Sequence, residues 1–133
     1  MRSLIDKVAW VRVEDGRILS TRSRGKDTYY LPGGKREAGE SDLQTLAREI
    51  REELAVEILL ESAARLGVWE ARAHGHPDSV TVRMTCYTGD YRGTPEASAE
   101  IEEVAWLGYA DRDRVSAVDQ LIFDDLRESG LLR

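Results

Sequence analysis

This 133-residue chain lacks a disulfide partner for its single cysteine, any long apolar run and any excess of positive charge. Cys86 therefore closes no internal disulfide, which suits a reducing compartment. No apolar stretch is long enough to span a bilayer, and Met1 to Lys7 lacks the apolar core of a signal peptide. A cytoplasmic location without membrane partners is expected. The formal charge of −6 and pI near 5.0 set up a field that repels polyanions, which argues against binding a nucleic-acid polymer or an anionic membrane. A small anionic substrate stays compatible where a cation and local Lys or Arg residues offset that field. Repeats, low-complexity tracts and interdomain linkers are missing too, so residues 1–133 are expected to form one domain.

What is present is a series of short β-rich segments around two helical patterns. Lys7 to Val13 has strand composition, Glu14-Asp15-Gly16 reads as a turn and Arg17 to Thr21 as its partner strand, together a hairpin. A mostly basic loop, Arg22 to Asp27, leads to Thr28 to Leu31, a strand that stops at Pro32-Gly33-Gly34. Val56 to Leu60, Arg65 to Ala73, Ser79 to Tyr91 and Glu100 to Leu107 read as further strands, with a loop at His74 to Asp78. From Ser116 onward Val118, Leu121, Ile122 and Leu126 fall at helical spacing, and Gly130 ends the pattern. Strands interrupted by one long helix and closed by another imply an α+β fold, a mixed sheet with helices against its faces.

The long helix belongs to the stretch Leu31 to Val56. Ser41 is the N-cap candidate, Gln44 completes a capping box and Asp42 sits near the positive end of the helix dipole. Leu43, Leu46, Ala47, Ile50 and Leu54 form one apolar stripe, which leaves Glu49, Glu52 and Glu53 along an adjacent edge. Three carboxylates on one edge repel one another unless a hard cation such as Mg²⁺, which prefers oxygen ligands, sits among them. Ahead of the helix, the Gly33-Gly34 backbone has the freedom to approach that edge and offer a carbonyl.

Gly34, five residues, Glu40, seven residues, then Arg48-Glu49-Ile50-Arg51-Glu52-Glu53-Leu54-Ala55-Val56 resembles the signature box of the Nudix hydrolases. The one departure in these 23 residues is Ala55, where the family pattern has glycine. The resemblance implies an α/β/α sandwich with a central mixed sheet and two main helices. It implies Mg²⁺, with Mn²⁺ as a substitute, held by the Gly33 carbonyl, Glu49, Glu52 and Glu53, with Arg48 orienting Glu49 and Glu40 supporting the loop. The implied reaction is hydrolysis of a nucleoside diphosphate linked to another moiety, by water attack at phosphorus. The base that takes the proton from water is either Glu49 or an acid on a distant loop, for which Glu100 is the candidate. A MutT-like (deoxy)nucleoside triphosphate pyrophosphohydrolase is the first expectation. ADP-ribose or dinucleoside polyphosphate hydrolysis, and nucleotide sensing without turnover, are the alternatives, and the chain is either a monomer or a homodimer.

Lys35, Arg22, Arg24, Lys26 and Tyr30 make up the expected substrate contacts, although a basic loop such as Arg22 to Asp27 is often simply solvated. His74 and His76 lack a third ligand and read as loop residues. Tyr29, Trp69 and Trp106 sit in strand-like segments where core packing outweighs stacking on a base. Asp119 and Gln120 read as solvated helix-surface residues, and Cys86 as a small buried hydrophobe. If the box helix ends in a left-handed residue, Ala55 costs about 1–2 kcal/mol there.

Overall fold

The computed structural model of the chain describes residues 3–73 and 79–133. In chain order its elements are β1 (Ser3–Trp10), β2 (Val13–Glu14), β3 (Arg17–Ser23), β4 (Gly33–Lys35), α1 (Asp42–Leu54), β5 (Glu57–Ile58), β6 (Ala64–Arg72), β7 (Val80–Thr88), β8 (Tyr91–Arg92), β9 (Ile101–Leu107) and α2 (Ala117–Glu128). β1 and β7 pair in parallel at the centre of a mixed four-stranded sheet, flanked by antiparallel β4 and β6. β2, β3 and β9 form a second, antiparallel sheet.

Side-chain alternation along β1 builds the layers. Val8 and Trp10 join Leu46, Ile50 and Leu54 of α1 in one core cluster, while Ala9 and Val11 join Val118, Ile122, Phe123 and Leu126 of α2 in another. The sheet thus lies between the two main helices, the sandwich implied by the box. Leu46, Ile50 and Leu54 are fully buried, and each contributes about 1.5–3 kcal/mol of burial. No helix among the described residues is long and apolar enough to cross a membrane.

Local signals and pairing partners diverge in several places. The turn at Glu14-Asp15-Gly16 does close a hairpin, but only β2 pairs with β3; β1 leaves for the other sheet, where its register is Ser3 with Val80. Thr28 to Leu31 forms isolated bridges rather than a strand, and the strand is instead Gly33–Lys35, inside the supposed breaker. Val56 to Leu60 shortens to β5 followed by a 3-10 turn at Leu60–Ser62, and Ser79 to Tyr91 divides into β7 and β8. On α2 the buried side is Val118, Asp119, Ile122, Phe123 and Leu126, whereas Leu121 is exposed. His74 and His76 lie outside the described residues.

Candidate active site

α1 begins as its sequence dictates. Ser41 Oγ accepts the Gln44 N–H at 3.2 Å and Gln44 Oε1 accepts the Ser41 N–H at 2.9 Å, a complete capping box. Beyond the cap, Arg48 organises the acids. Its Nε and Nη2 donate to Glu40 Oε2 and Oε1 at 2.7 and 2.9 Å, and Nη2 also reaches the Lys35 carbonyl at 3.1 Å. Nη1 donates to Glu49 Oε1 at 2.8 Å and approaches Glu52 Oε2 at 3.5 Å. The bidentate contact with Arg48, with the Glu37 N–H beside it, holds the Glu40 carboxyl down at about 2.

Glu53 is the buried member of the set, with 7% of its surface exposed, and its Oε1 accepts the Gly33 N–H at 2.9 Å. Burial pushes its carboxyl up to about 8; the Gly33 N–H opposes that shift, and Glu49 and Glu100 add to it. Glu49 is raised too, first by burial, against the pull of Arg48. The glycine pair makes this closeness possible. A Cβ on Gly34 would lie 2.5–2.7 Å from the Glu49 carboxylate, and a Cβ on Gly33 would overlap the Val8 carbonyl oxygen.

The loop bearing Glu100 is fastened to the far end of the same helix. The Glu96 and Ser98 N–H groups donate to the Leu54 and Glu53 carbonyls at 2.9 and 3.0 Å, satisfying groups that the last helical turn leaves open. Ala99 then takes a left-handed conformation, φ 53°, and Glu100 faces the cavity that Glu49 and Glu53 line. That cavity measures about 970 Å³ and also takes in Lys35, Lys26 and Tyr30. Glu52 lies outside it on the outer helix edge with about half its side chain exposed, and Arg24 is an exposed loop residue. Arg22 also lies outside, its guanidinium held 3.2 Å from Glu102 and Glu103 and 3.0 Å from the Lys26 carbonyl, so it braces the loop that carries Lys26.

A family model described as the NUDIX domain matches residues 5–125. The chain belongs to the Nudix family. A MutT-like protein of Streptomyces ambofaciens is 31% identical over 94 residues, which cover 71% of this chain and 56% of that protein. An RNA pyrophosphohydrolase of Halorhodospira halophila is 44% identical over 43 residues, covering 32% of this chain and 24% of its own length. The matches therefore span only about a quarter and about half of these two curated relatives. In fold, the MutT protein of Methanosarcina mazei Go1 superposes with a TM-score of 0.76 at 21% identity, over 97% of this chain and 96% of that one.

The Nudix box ends in the strained geometry that Ala55 foreshadows, with φ 57° and ψ 31° and its N–H on the Arg51 carbonyl. Ala55→Gly should raise stability by about 0.5–1 kcal/mol, the left-handed penalty of alanine less the larger unfolded-state entropy of glycine. Urea unfolding checks the gain, and hydrolytic activity should be unchanged.

Whether the box suits a divalent cation depends on its donors. Among the described residues no three His, Cys, Asp or Glu side chains already form a metal cluster, and Arg48 holds Glu49 and approaches Glu52. The donor set is nevertheless all hard oxygen, and Glu53 is a buried carboxylate beside two others. A hard cation would relieve that repulsion, so these residues fit Mg²⁺ or Mn²⁺.

Other polar and aromatic side chains hold the fold around the site. Arg36 bridges Asp42 at 2.6 Å and Asp6 at 3.0 Å, tying the loop before α1 to β1. Tyr29 is buried, its hydroxyl donating to Glu103 at 2.7 Å, and Trp69 Nε1 donates to Asp125 at 2.6 Å, so both aromatics are structural. Trp106 packs against the α1 cluster, and Gln120 Nε2 donates to the Arg112 carbonyl at 3.1 Å. Cys86 is buried in the core, as its hydrophobic reading expects.

Asp119 is the correction with consequences, being fully buried instead of solvated. Its Oδ2 accepts the Leu31 N–H at 3.0 Å, while Oδ1 has no hydrogen-bond partner among the described residues. Burial pushes its carboxyl up to about 6, opposed by the Leu31 N–H, Ser116 and the charge of Lys7. Tyr30 and Cys86 also feel its charge. Because the folded chain binds this proton more tightly than the unfolded chain, the Asp119 contribution to stability falls as pH rises from about 4 through about 6. Asp119→Asn should therefore gain up to about 3 kcal/mol over the parent at pH 8 and almost nothing at pH 4, read from paired thermal melts.

Proposed function

We propose that the chain hydrolyses a nucleoside diphosphate linked to another moiety, with a nucleoside triphosphate cut to monophosphate and pyrophosphate as its first substrate. The observation that carries this reading is the convergence of Glu49, Glu53 and Glu100 with Lys26 and Lys35 in one cavity, acids for a cation beside cations for phosphate. The cofactor would be Mg²⁺, or Mn²⁺ in its place, held by Glu49, Glu52, Glu53 and the Gly33 carbonyl. Once bound, such an ion polarises phosphoryl oxygens and makes water a better nucleophile.

The chain's own residues supply the rest. Arg48 keeps Glu49 and Glu40 in place, and Lys26 and Lys35 offset the charge of the phosphate chain. Tyr30 forms part of the wall toward the nucleoside. Glu100 is assigned the proton of the attacking water, because Glu49 is tied to Arg48 while Glu100 faces the cavity on its own loop. Glu100→Gln should lower kcat by about 10²–10⁴ with little change in KM. A near-normal kcat would return the proton to Glu49.

The MutT-like relative and the size of the cavity support a small nucleotide over a polymer. Comparing kcat/KM for the common ribo- and deoxynucleoside triphosphates with that for ADP-ribose and a dinucleoside tetraphosphate tests the choice. The triphosphates should lead by at least about tenfold, a margin of about 1.4 kcal/mol in transition-state binding. A lead for either competitor would reassign the substrate.

A further inference from the structure

Of the 19 basic residues only three are lysines, Lys7, Lys26 and Lys35, and all three line the cavity that holds the box glutamates. The arginines are used differently. Among the described residues every ion pair has an arginine as its cation. Arginine suits such fixed, forked contacts with carboxylates, whereas lysine is a compact charge on a flexible stem that can follow a phosphate group.

Lys7 is the member that neither the box nor the basic loop contains. It sits on β1, a central strand, where its neighbours on the same face, Ile5 and Ala9, are apolar and its partner on β7 is Met84. An apolar residue is what the strand pattern asks for at this position. Its partner on the other side is Lys35 of β4, and like charges directly opposite each other on adjacent strands are destabilising. The ammonium lies 5.7 Å from the centre of the Tyr30 ring, and its charge reaches both Glu53 and Asp119. A pattern-breaking charge set against a like charge, and in no ion pair among the described residues, is placed to take an anion from outside.

We propose that Lys7 is a phosphate-binding residue that joins Lys26 and Lys35 in a three-lysine cradle for the polyphosphate chain of the substrate. The proposal rests on the reading of the cavity as a site for nucleoside diphosphate derivatives. It gives the reason why lysine rather than arginine occurs only here. It also separates two jobs on the cavity floor, since Lys7 and Lys35 hold phosphate from the sheet while the glutamates act from α1.

With only three lysines, amine acylation of the whole protein followed by peptide mass spectrometry reports each site separately. Inorganic tripolyphosphate with Mg²⁺ should slow acylation of Lys7 severalfold, together with Lys26 and Lys35. Lys7→Met, whose apolar stem suits the Ile5–Met84 surroundings, should weaken tripolyphosphate binding by about tenfold or more in calorimetric titration, the worth of one charge-assisted hydrogen bond. Lys7→Arg should recover part of the loss. Acylation of Lys7 that ignores tripolyphosphate, or an unchanged Kd in Lys7→Met, overturns the cradle. The labelling uses the unaltered protein and needs no turnover. Protection of Lys7 without hydrolysis of any nucleotide would therefore uphold the cradle and refute the hydrolase, and hydrolysis with Lys7 unprotected would do the reverse.

Discussion

Glu53→Gln is expected to lower kcat by about a thousandfold or more while leaving the fold in place, since several kcal/mol of transition-state charge stabilisation depend on the cation that this carboxylate would hold. The fold survives because the new amide oxygen can still accept the Gly33 N–H that Oε1 accepts now, at 2.9 Å. The change also relieves the folded chain of the cost of a carboxyl that burial, Glu49 and Glu100 push up to about 8, at a site with 7% exposure. Loss of activity should thus come with unaltered or improved thermal stability in metal-free buffer, the opposite of what damage to the core would do. Turnover and melting temperature measured on one preparation check both halves. Near-normal turnover would remove Glu53 from the metal site.

Gly33→Ala should produce the largest loss of stability, about 3 kcal/mol or more. Gly33 has φ 148°, and an added Cβ would overlap the Val8 carbonyl oxygen and lie 2.7 Å from Ala9 Cα. Both obstacles are backbone of β1, the strand with which β4 pairs, so nothing flexible can give way. The same shift would pull the Gly33 N–H off Glu53, so activity should fall with stability. Urea unfolding of the parent and Gly33→Ala measures the first effect, and a value under about 1 kcal/mol would show that β4 can move aside cheaply.

Where structure is set locally, the residues announce it. The capping box at Ser41 and Gln44, the stripe of Leu46, Ile50 and Leu54, and the run of glutamates behind them are a few residues apart, and the helix follows them. Ala55 likewise declares its strain through the missing glycine. What depends on distant partners is hidden. β1 reads as half of a hairpin, yet it pairs in parallel with β7, a choice made by packing against both helices. Gly33–Lys35 reads as a breaker because glycine is a poor strand former, and it becomes a strand because only glycine lets β4 and Glu49 come so close.

The acid misjudged by pattern and the lysine that pattern passes over share a cause. Asp119 lies in the first turn of α2, where an acid ordinarily faces water, and Lys7 falls among strand residues whose pairing is not yet known. Their roles come from distant parts of the chain, Asp119 from the Leu31 N–H whose hydrogen bond it accepts and Lys7 from the cavity that it lines. The sequence signal that exists is compositional, three lysines among many arginines, and it gains a meaning once all three are seen to share that cavity.

Hydrolysis at phosphorus is tested most directly by ³¹P NMR of the products formed in ¹⁸O-enriched water from nucleoside triphosphates, ADP-ribose and a dinucleoside polyphosphate. Each reaction is run with Mg²⁺ and again with excess EDTA. At least one of these compounds should be cleaved at its diphosphate linkage, with ¹⁸O incorporated into a single phosphoryl product and cleavage abolished by EDTA. No cleavage of any of them with Mg²⁺ or Mn²⁺, or cleavage that persists in EDTA, would contradict a cation-dependent diphosphate hydrolase built on Glu49, Glu52 and Glu53.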